Sequence, residues 1–243
     1  MKRIISCLLA VLLLVSIVYP TSVIAAESDE PTFTVSSERA FPGQNVSVTI
    51  RMDHNPGIAS IKLKAQFDND ALILNSITYN DSELGGQSQQ PETFTSPVTL
   101  NWFNGAENTT GDMVYAVLDF TVAQNASFGK HEIIVTYNPD DVYRFAEDDD
   151  ELDNVEFKII NGGVTVAYMI GDVDYNGRVE SIDATWIQRS VSGKDIPFIL
   201  SAAPADIDGD EKITTMDASL IQWRLAHKEK PKKYIERIGT TIG

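Results

Sequence analysis

A twelve-residue, aspartate-rich segment occurs twice in this chain. Asp172-Val-Asp-Tyr-Asn-Gly-Arg-Val-Glu-Ser-Ile-Asp183 returns 34 residues later as Asp206-Ile-Asp-Gly-Asp-Glu-Lys-Ile-Thr-Thr-Met-Asp217. The likeness continues past each copy, where Asp183-Ala-Thr-Trp-Ile-Gln matches Asp217-Ala-Ser-Leu-Ile-Gln. Apolar residues at helical spacing follow: Ile182, Trp186, Ile187 and Val191 in the first copy, Met216, Leu220, Ile221 and Leu225 in the second. Gly193 is placed to end the first helix. One Asp-x-Asp alone would read as a solvated turn. Two copies in register, each with a matching helix, read as a duplicated loop-helix unit.

The spacing inside each copy suits calcium. The ion takes about six to eight hard oxygen ligands, and a twelve-residue loop supplies them from positions 1, 3, 5, the carbonyl of 7, and 12. In the first loop these are Asp172, Asp174, Asn176, Arg178 through its carbonyl, and Asp183. In the second they are Asp206, Asp208, Asp210, Lys212 through its carbonyl, and Asp217. The expectation is therefore two Ca2+ ions. Val179 and Ile213, at position 8, predict a short β-bridge between the loops. Position 6 needs a left-handed turn, which Gly177 supplies and Glu211 does not. β-type sequence runs almost to Asp172, so no amphipathic helix is expected ahead of either loop. The units read as half EF-hands, and residues 168–230 as a small all-α calcium module.

From Pro31 to about Val166 the pattern is different. Ser60, Lys62, Lys64 and Gln66 alternate with Ile61, Leu63, Ala65 and Phe67. Similar runs cover Val46 to Ile50, Leu72 to Tyr79, Val98 to Phe103, Met113 to Val122, Ile133 to Tyr137 and Val155 to Val166. Pro42-Gly43, Asn55-Pro56-Gly57, Gly85-Gly86, Asn104-Gly105 and Asn138-Pro139 separate them as turns. This predicts an all-β sandwich of jelly-roll type over residues 30–167. The short segment Tyr168 to Gly171 predicts that the two modules sit close together.

Lys2 and Arg3, the apolar run Ile4 to Val18 and the small residues Ala25 and Ala26 read as a signal peptide over 1–26, and hence as secretion. The run is shorter than the roughly 20 residues of a spanning helix. The only cysteine, Cys7, lies inside that segment, so no disulfide or thiolate site is expected in the exported chain. A net charge of −16 argues against nucleic acid as a partner. Residues 231–243 read as a basic, flexible tail.

With these residues in place, the segment Ile170 to Lys228 resembles a dockerin. The resemblance rests on the two Asp loops and on Ser181-Ile-Asp-Ala-Thr-Trp-Ile-Gln-Arg189 and Thr215-Met-Asp-Ala-Ser-Leu-Ile-Gln-Trp-Arg224. The sandwich resembles a cohesin through Ala40-Phe-Pro-Gly-Gln, Asn55-Pro-Gly-Ile-Ala-Ser and Asn161-Gly-Gly-Val-Thr-Val. The resemblance implies that Ser181, Ile182, Gln188 and Arg189, or Thr215, Met216, Gln222 and Trp223, dock into a cohesin. It implies that Ser60, Lys62, Lys64 and Gln66 face an incoming dockerin; Trp102, nearby in an alternating strand, reads first as core or rim packing and otherwise as a partner contact on that surface or a sugar platform.

The function implied is a non-catalytic adaptor scaffoldin of an extracellular, polysaccharide-degrading complex, held at the cell surface through that complex. Its partners would be dockerin-bearing proteins at one end and a cohesin-bearing scaffold at the other, with no membrane contact after signal cleavage. The alternative is a carbohydrate-binding sandwich delivered by a dockerin. A glycosidase with paired carboxylates is disfavoured, because the clustered aspartates read as metal ligands. Trp102 and Phe103 alternate, so one of them should face outward. Glu147-Asp-Asp-Asp-Glu151 reads as a solvated loop, and His54, His131 and His227 show no catalytic or metal spacing.

Overall fold

Period-two alternation requires each strand to bury one face, and two sheets stacked face to face satisfy all of them together. The computed structural model describes residues 29–146, 151–227 and 237–243. The expected signal segment, Glu147 to Asp150 and the basic stretch Lys228 to Lys233 lie outside the described residues. The sandwich runs β1 (Thr32–Val35), β2 (Ser37–Ala40), β3 (Asn45–Asp53), β4 (Ser60–Gln66), β5 (Leu72–Tyr79) and α1 (Asp81–Leu84). It continues with β6 (Gln87–Gln89), β7 (Val98–Phe103), β8 (Met113–Val122), β9 (Gly129–Phe145), β10 (Leu152–Asn154), β11 (Lys158–Ile160) and β12 (Gly162–Val166).

One sheet has the order β11-β1-β3-β8-β5, and the other β2-β12-β9-β4-β7-β6 with β10 paired to β9. β11 joins β1 and β12 joins β2 in parallel; the other pairings in the sandwich are antiparallel. Phe33, Ile50, Met52, Trp102, Tyr115 and Phe120 are among the fully buried side chains between the sheets. Each such side chain contributes about 1.5–3 kcal/mol by leaving water.

Two sequence expectations change here. Asn138-Pro139 is not a turn between strands, since β9 runs through it. Pro139 has no N–H to give a ladder, and the chain bulges instead. Leu63 pairs with Tyr137 and Ile61 with Val142, so Asn138 to Asp141 stand opposite Lys62 alone. The run Val155 to Val166 also splits, because the chain changes sheets between Ile160 and Gly162. A β-carbon on Gly162 would meet the carbonyl oxygens of Val35 and Ser36, so only glycine fits the crossing. Beside it, the Asn161 Oδ1 accepts from the Val135 N–H at 2.9 Å and anchors the neighbouring strand.

The second module comprises β13 (Tyr168–Met169), α2 (Ser181–Val191), α3 (Ala202–Ala205), α4 (Thr215–Ala226) and β14 (Thr241–Ile242). It has its own core of Ile170, Val173, Ala184, Ile187, Ala205, Ile207, Ala218, Ile221 and Ile238. Ala184 and Ala218 are small enough to let α2 and α4 approach closely. α2 ends in a Schellman motif: Gly193 has a φ of 66°, its N–H donates to Ser190 O, and the Lys194 N–H donates to Arg189 O.

Three expectations differ in this module. Residues 237–243 are not a free tail: Ile238 is in the core, and β14 pairs antiparallel with β13. A four-residue turn of helix, α3, does precede the second loop. Val179 and Ile213 form no β-bridge; both pack half-buried on the core. Position 8 thus serves hydrophobic packing rather than backbone pairing.

Candidate calcium loops and docking faces

The two loops fold by the same hydrogen bonds. The fully buried Asp172 accepts the N–H groups of Asn176 at 3.1 Å and Gly177 at 2.9 Å. Asp206 accepts those of Asp210 at 3.1 Å and Glu211 at 3.0 Å. At position 12, Asp183 accepts from Val173 N–H at 2.9 Å and from Glu180 N–H at 2.7 Å. Asp217 repeats this with Ile207 N–H and Thr214 N–H, each at 2.8 Å. Each position-12 carboxylate therefore closes its loop and satisfies a donor at the start of its helix.

In the first loop, carboxylate oxygens of Asp172, Asp174 and Asp183 lie within 4.8 Å of one another. In the second, those of Asp206, Asp208 and Asp210 do so, and Asp217 is outside that group. The Arg178 and Lys212 side chains are exposed. Burial pushes the Asp172 carboxyl up to about 7, aided by Asp183 and Asp174 and opposed by the Gly177 and Asn176 N–H groups. Burial likewise raises Asp183 to about 6. Asp208 is raised too, by desolvation first and then by neighbouring carboxylates. Buried, crowded carboxylates of this kind fit a hard divalent cation, whose charge would return them to the ionised state.

Left-handed backbone occurs at positions 4 and 6 of both loops. The φ values are 59° at Tyr175 and 85° at Gly177, then 79° at Gly209 and 65° at Glu211. Each loop thus carries one glycine and one side chain in this conformation.

Of the residues expected to dock, Ser181, Ile182 and Arg189 on α2 are exposed and Gln188 is half-buried. Thr215, Met216, Gln222 and Trp223 on α4 are all exposed. Arg189 is held in place by two bonds to the Asp195 carbonyl, the shorter at 2.7 Å, and its guanidinium lies 5.9 Å from the Trp186 ring centre. The Trp223 ring stacks on His227 at 4.5 Å.

On the sandwich, Lys62, Lys64 and Gln66 point outward from β4. Ser60 does not lie open: it is 8% exposed, flanked across the ladders by Phe103 and Tyr143. Trp102, a candidate partner contact, is not on the surface. It is 0% exposed, facing the core, and its Nε1–H donates to the Gly85 carbonyl at 2.7 Å. Phe103 is the outward member of the pair. Sequence reasoning missed Asp141, whose carboxylate meets the Lys62 ammonium at 3.5 Å. The proline two residues before it was the available signal, once read as a bulge rather than a turn.

The family model "Dockerin type I domain" matches residues 170–226, and the model "Cohesin domain" matches residues 31–166, more than half of the chain. Among solved structures, the seventh ScaB type I cohesin of Pseudobacteroides cellulosolvens is 20% identical, with a TM-score of 0.48 over 56% of this chain and 92% of that one. A non-cellulosomal cohesin from the archaeon Archaeoglobus fulgidus is 14% identical, with a TM-score of 0.46 over 56% and 91%. A type I cohesin–dockerin complex from Clostridium thermocellum gives 15% and 0.45, over 56% and 99%. No curated protein matches the chain. The chain belongs to the cohesin family and carries a type I dockerin domain behind its cohesin domain.

Proposed function

We propose that this protein is an adaptor scaffoldin of an extracellular, polysaccharide-degrading complex. Cohesin and dockerin domains are interaction modules rather than catalytic ones, and the pair in one chain indicates a cellulosome-type adaptor. The cohesin domain receives dockerin-bearing proteins, and the dockerin domain enters a cohesin elsewhere. One observation carries the reading: each module leaves a separate face uncovered, the polar Lys62, Lys64 and Gln66 on β4 and the mixed polar and apolar Thr215, Met216, Gln222 and Trp223 on α4. The proposed boundaries remain 30–167 for the cohesin module and 168–230 for the dockerin module, with 237–243 now joined to the latter.

The proposed dockerin holds two Ca2+ ions, through Asp172, Asp174, Asn176, Asp183 and the Arg178 carbonyl, and through Asp206, Asp208, Asp210, Asp217 and the Lys212 carbonyl. Calcium supplies the positive charge that lets these loops close. The protein's own part is to aim the carboxylates and to carry helices α2 and α4 from them. Export through the signal segment would place the adaptor where calcium is plentiful. Among the described residues no helix is long and apolar enough to cross a membrane.

The alternative of a carbohydrate-binding sandwich draws no support from Trp102, whose ring is inside. Pull-down with a panel of dockerins, beside retention on insoluble polysaccharide, tests the proposal. Capture of a dockerin that Lys62→Glu with Lys64→Glu weakens supports it. Retention on polysaccharide with no dockerin captured would overturn it.

A further inference from the structure

The first calcium loop touches the sandwich, and the second copy differs from it at the residue that makes the contact. Tyr175 stands at position 4, between the candidate ligands Asp174 and Asn176, and is 7% exposed despite lying in a loop. Its ring centre is 6.3 Å from that of Phe128, which in turn lies 4.6 Å from Tyr168. Phe128 comes from the connection between β8 and β9 and packs on the sandwich core, whereas Tyr168 packs on the core of the second module. The Tyr175 hydroxyl also engages the Ser201 side chain. On another side of the junction, the Arg39 guanidinium donates to the Gly243 carbonyl at 2.8 Å.

Position 4 would be easier for glycine. A side chain in left-handed backbone costs roughly 1–2 kcal/mol, and Gly209 avoids this at the equivalent place in the second loop. The first loop keeps a tyrosine there, and the ring goes to the seam. The backbone on either side of that ring is set by Asp174 and Asn176. Whatever draws those two side chains together also fixes where the ring points.

We infer that calcium in the first loop locks the orientation of the two modules through Tyr175 and Phe128. With the ion bound, the ring is held on Phe128 and the seam is closed. Without it, like charges at Asp172, Asp174 and Asp183 open the loop, the ring leaves, and the modules swing about Ala167 and Tyr168. This rests on the reading of the loops as calcium sites. Linkage makes the effect reciprocal: if calcium favours the closed seam, the closed seam favours calcium to the same degree.

The test uses the full chain, with small-angle scattering for the spread of intermodule distances, circular dichroism for helicity and calorimetric calcium titration. Wild type with calcium should give one narrow distribution. Phe128→Ala with calcium should broaden it while helicity stays at the wild-type level, and should weaken one of two calcium sites about five-fold, the scale of a lost aromatic pair. Tyr175→Gly deletes the ring but gives position 4 the residue that the second loop has there; it too should broaden the distribution. If both variants with full helicity stay as narrow as wild type, or if Phe128→Ala binds calcium at both sites as tightly as wild type, the inference is overturned. Failure of the calcium reading itself shows differently, as wild type that takes up no calcium at all, and that result overturns both.

Discussion

Glu211 has the same left-handed backbone as Gly177, its counterpart in the first loop, with φ values of 65° and 85°. Glycine adopts this region freely, and other residues do so at a cost of roughly 1–2 kcal/mol. Glu211→Gly should therefore tighten the second calcium site about five-fold or more and raise the melting temperature of the calcium-loaded module. Calcium titration of the variant beside wild type decides it, and equal affinities would mean that the Glu211 side chain compensates for its backbone.

Calcium should be a condition of folding for the dockerin module. Its core is small, and domains of this size commonly depend on a metal or on disulfides. In the full chain, α2 and α4 are the two long helices among the described residues, so far-ultraviolet helicity reports mainly on this module. Chelator should abolish most of that signal and leave the sandwich intact. Asp172→Ala and Asp206→Ala should each weaken it, and together should remove both helicity and cohesin binding.

Acid should have opposite effects on the metal-free and loaded module. Folding without metal raises Asp172 to about 7 and Asp183 to about 6 by burial. The folded form then binds more protons than the unfolded one. Its proton-linked stability is greatest below about pH 4 and is lost as pH rises through 6 and 7. Calcium needs the same carboxyls ionised, so its affinity should fall as pH drops below about 7. Helical signal should rise in chelator and weaken in calcium between pH 8 and pH 5, and a constant gap between the two would contradict this.

Trp102 and its neighbour should separate stability from binding. Trp102→Ala empties a buried site and strips the Gly85 carbonyl of its donor, so about 3–5 kcal/mol of stability should be lost. Phe103→Ala, on the outward side, should change stability little and dockerin affinity more. Denaturant melts and binding measured on the same two variants check this, and an unaltered melt for Trp102→Ala would refute the inward placement.

The strands were legible because alternation is a local signal. Ile61, Leu63 and Ala65 declare their face without any knowledge of partners. The loops were legible because repetition fixed their register at Asp172 and Asp206. What stayed hidden depends on contacts between distant residues. Trp102 shares its face of β7 with Val98 and Leu100, so alternation already turned it inward; what no local pattern could show was its bond to the Gly85 carbonyl. Pro139 looks like a turn until β4 is laid beside it, when it becomes the bulge that carries Asp141 to Lys62. Thr241 and Ile242 have no strand pattern worth the name, and they pair only because Tyr168 and Met169 offer an edge.

That last pairing has a mechanical side. A protein gripped at both ends by separate partners is under tension whenever they are drawn apart, and the pull crosses from one module to the other at Ala167. The first bonds beyond that point are the rungs between Tyr168 and Ile242 and between Met169 and Thr241, next to the Arg39 link to Gly243. They stand in the force path ahead of Asp172 and its loop. Traction would then load this ladder, and the Ile170 bonds to Thr240 and Gly239 beyond it, before it reached a metal ligand, and a seam forced open there would be felt in the first loop through Tyr175.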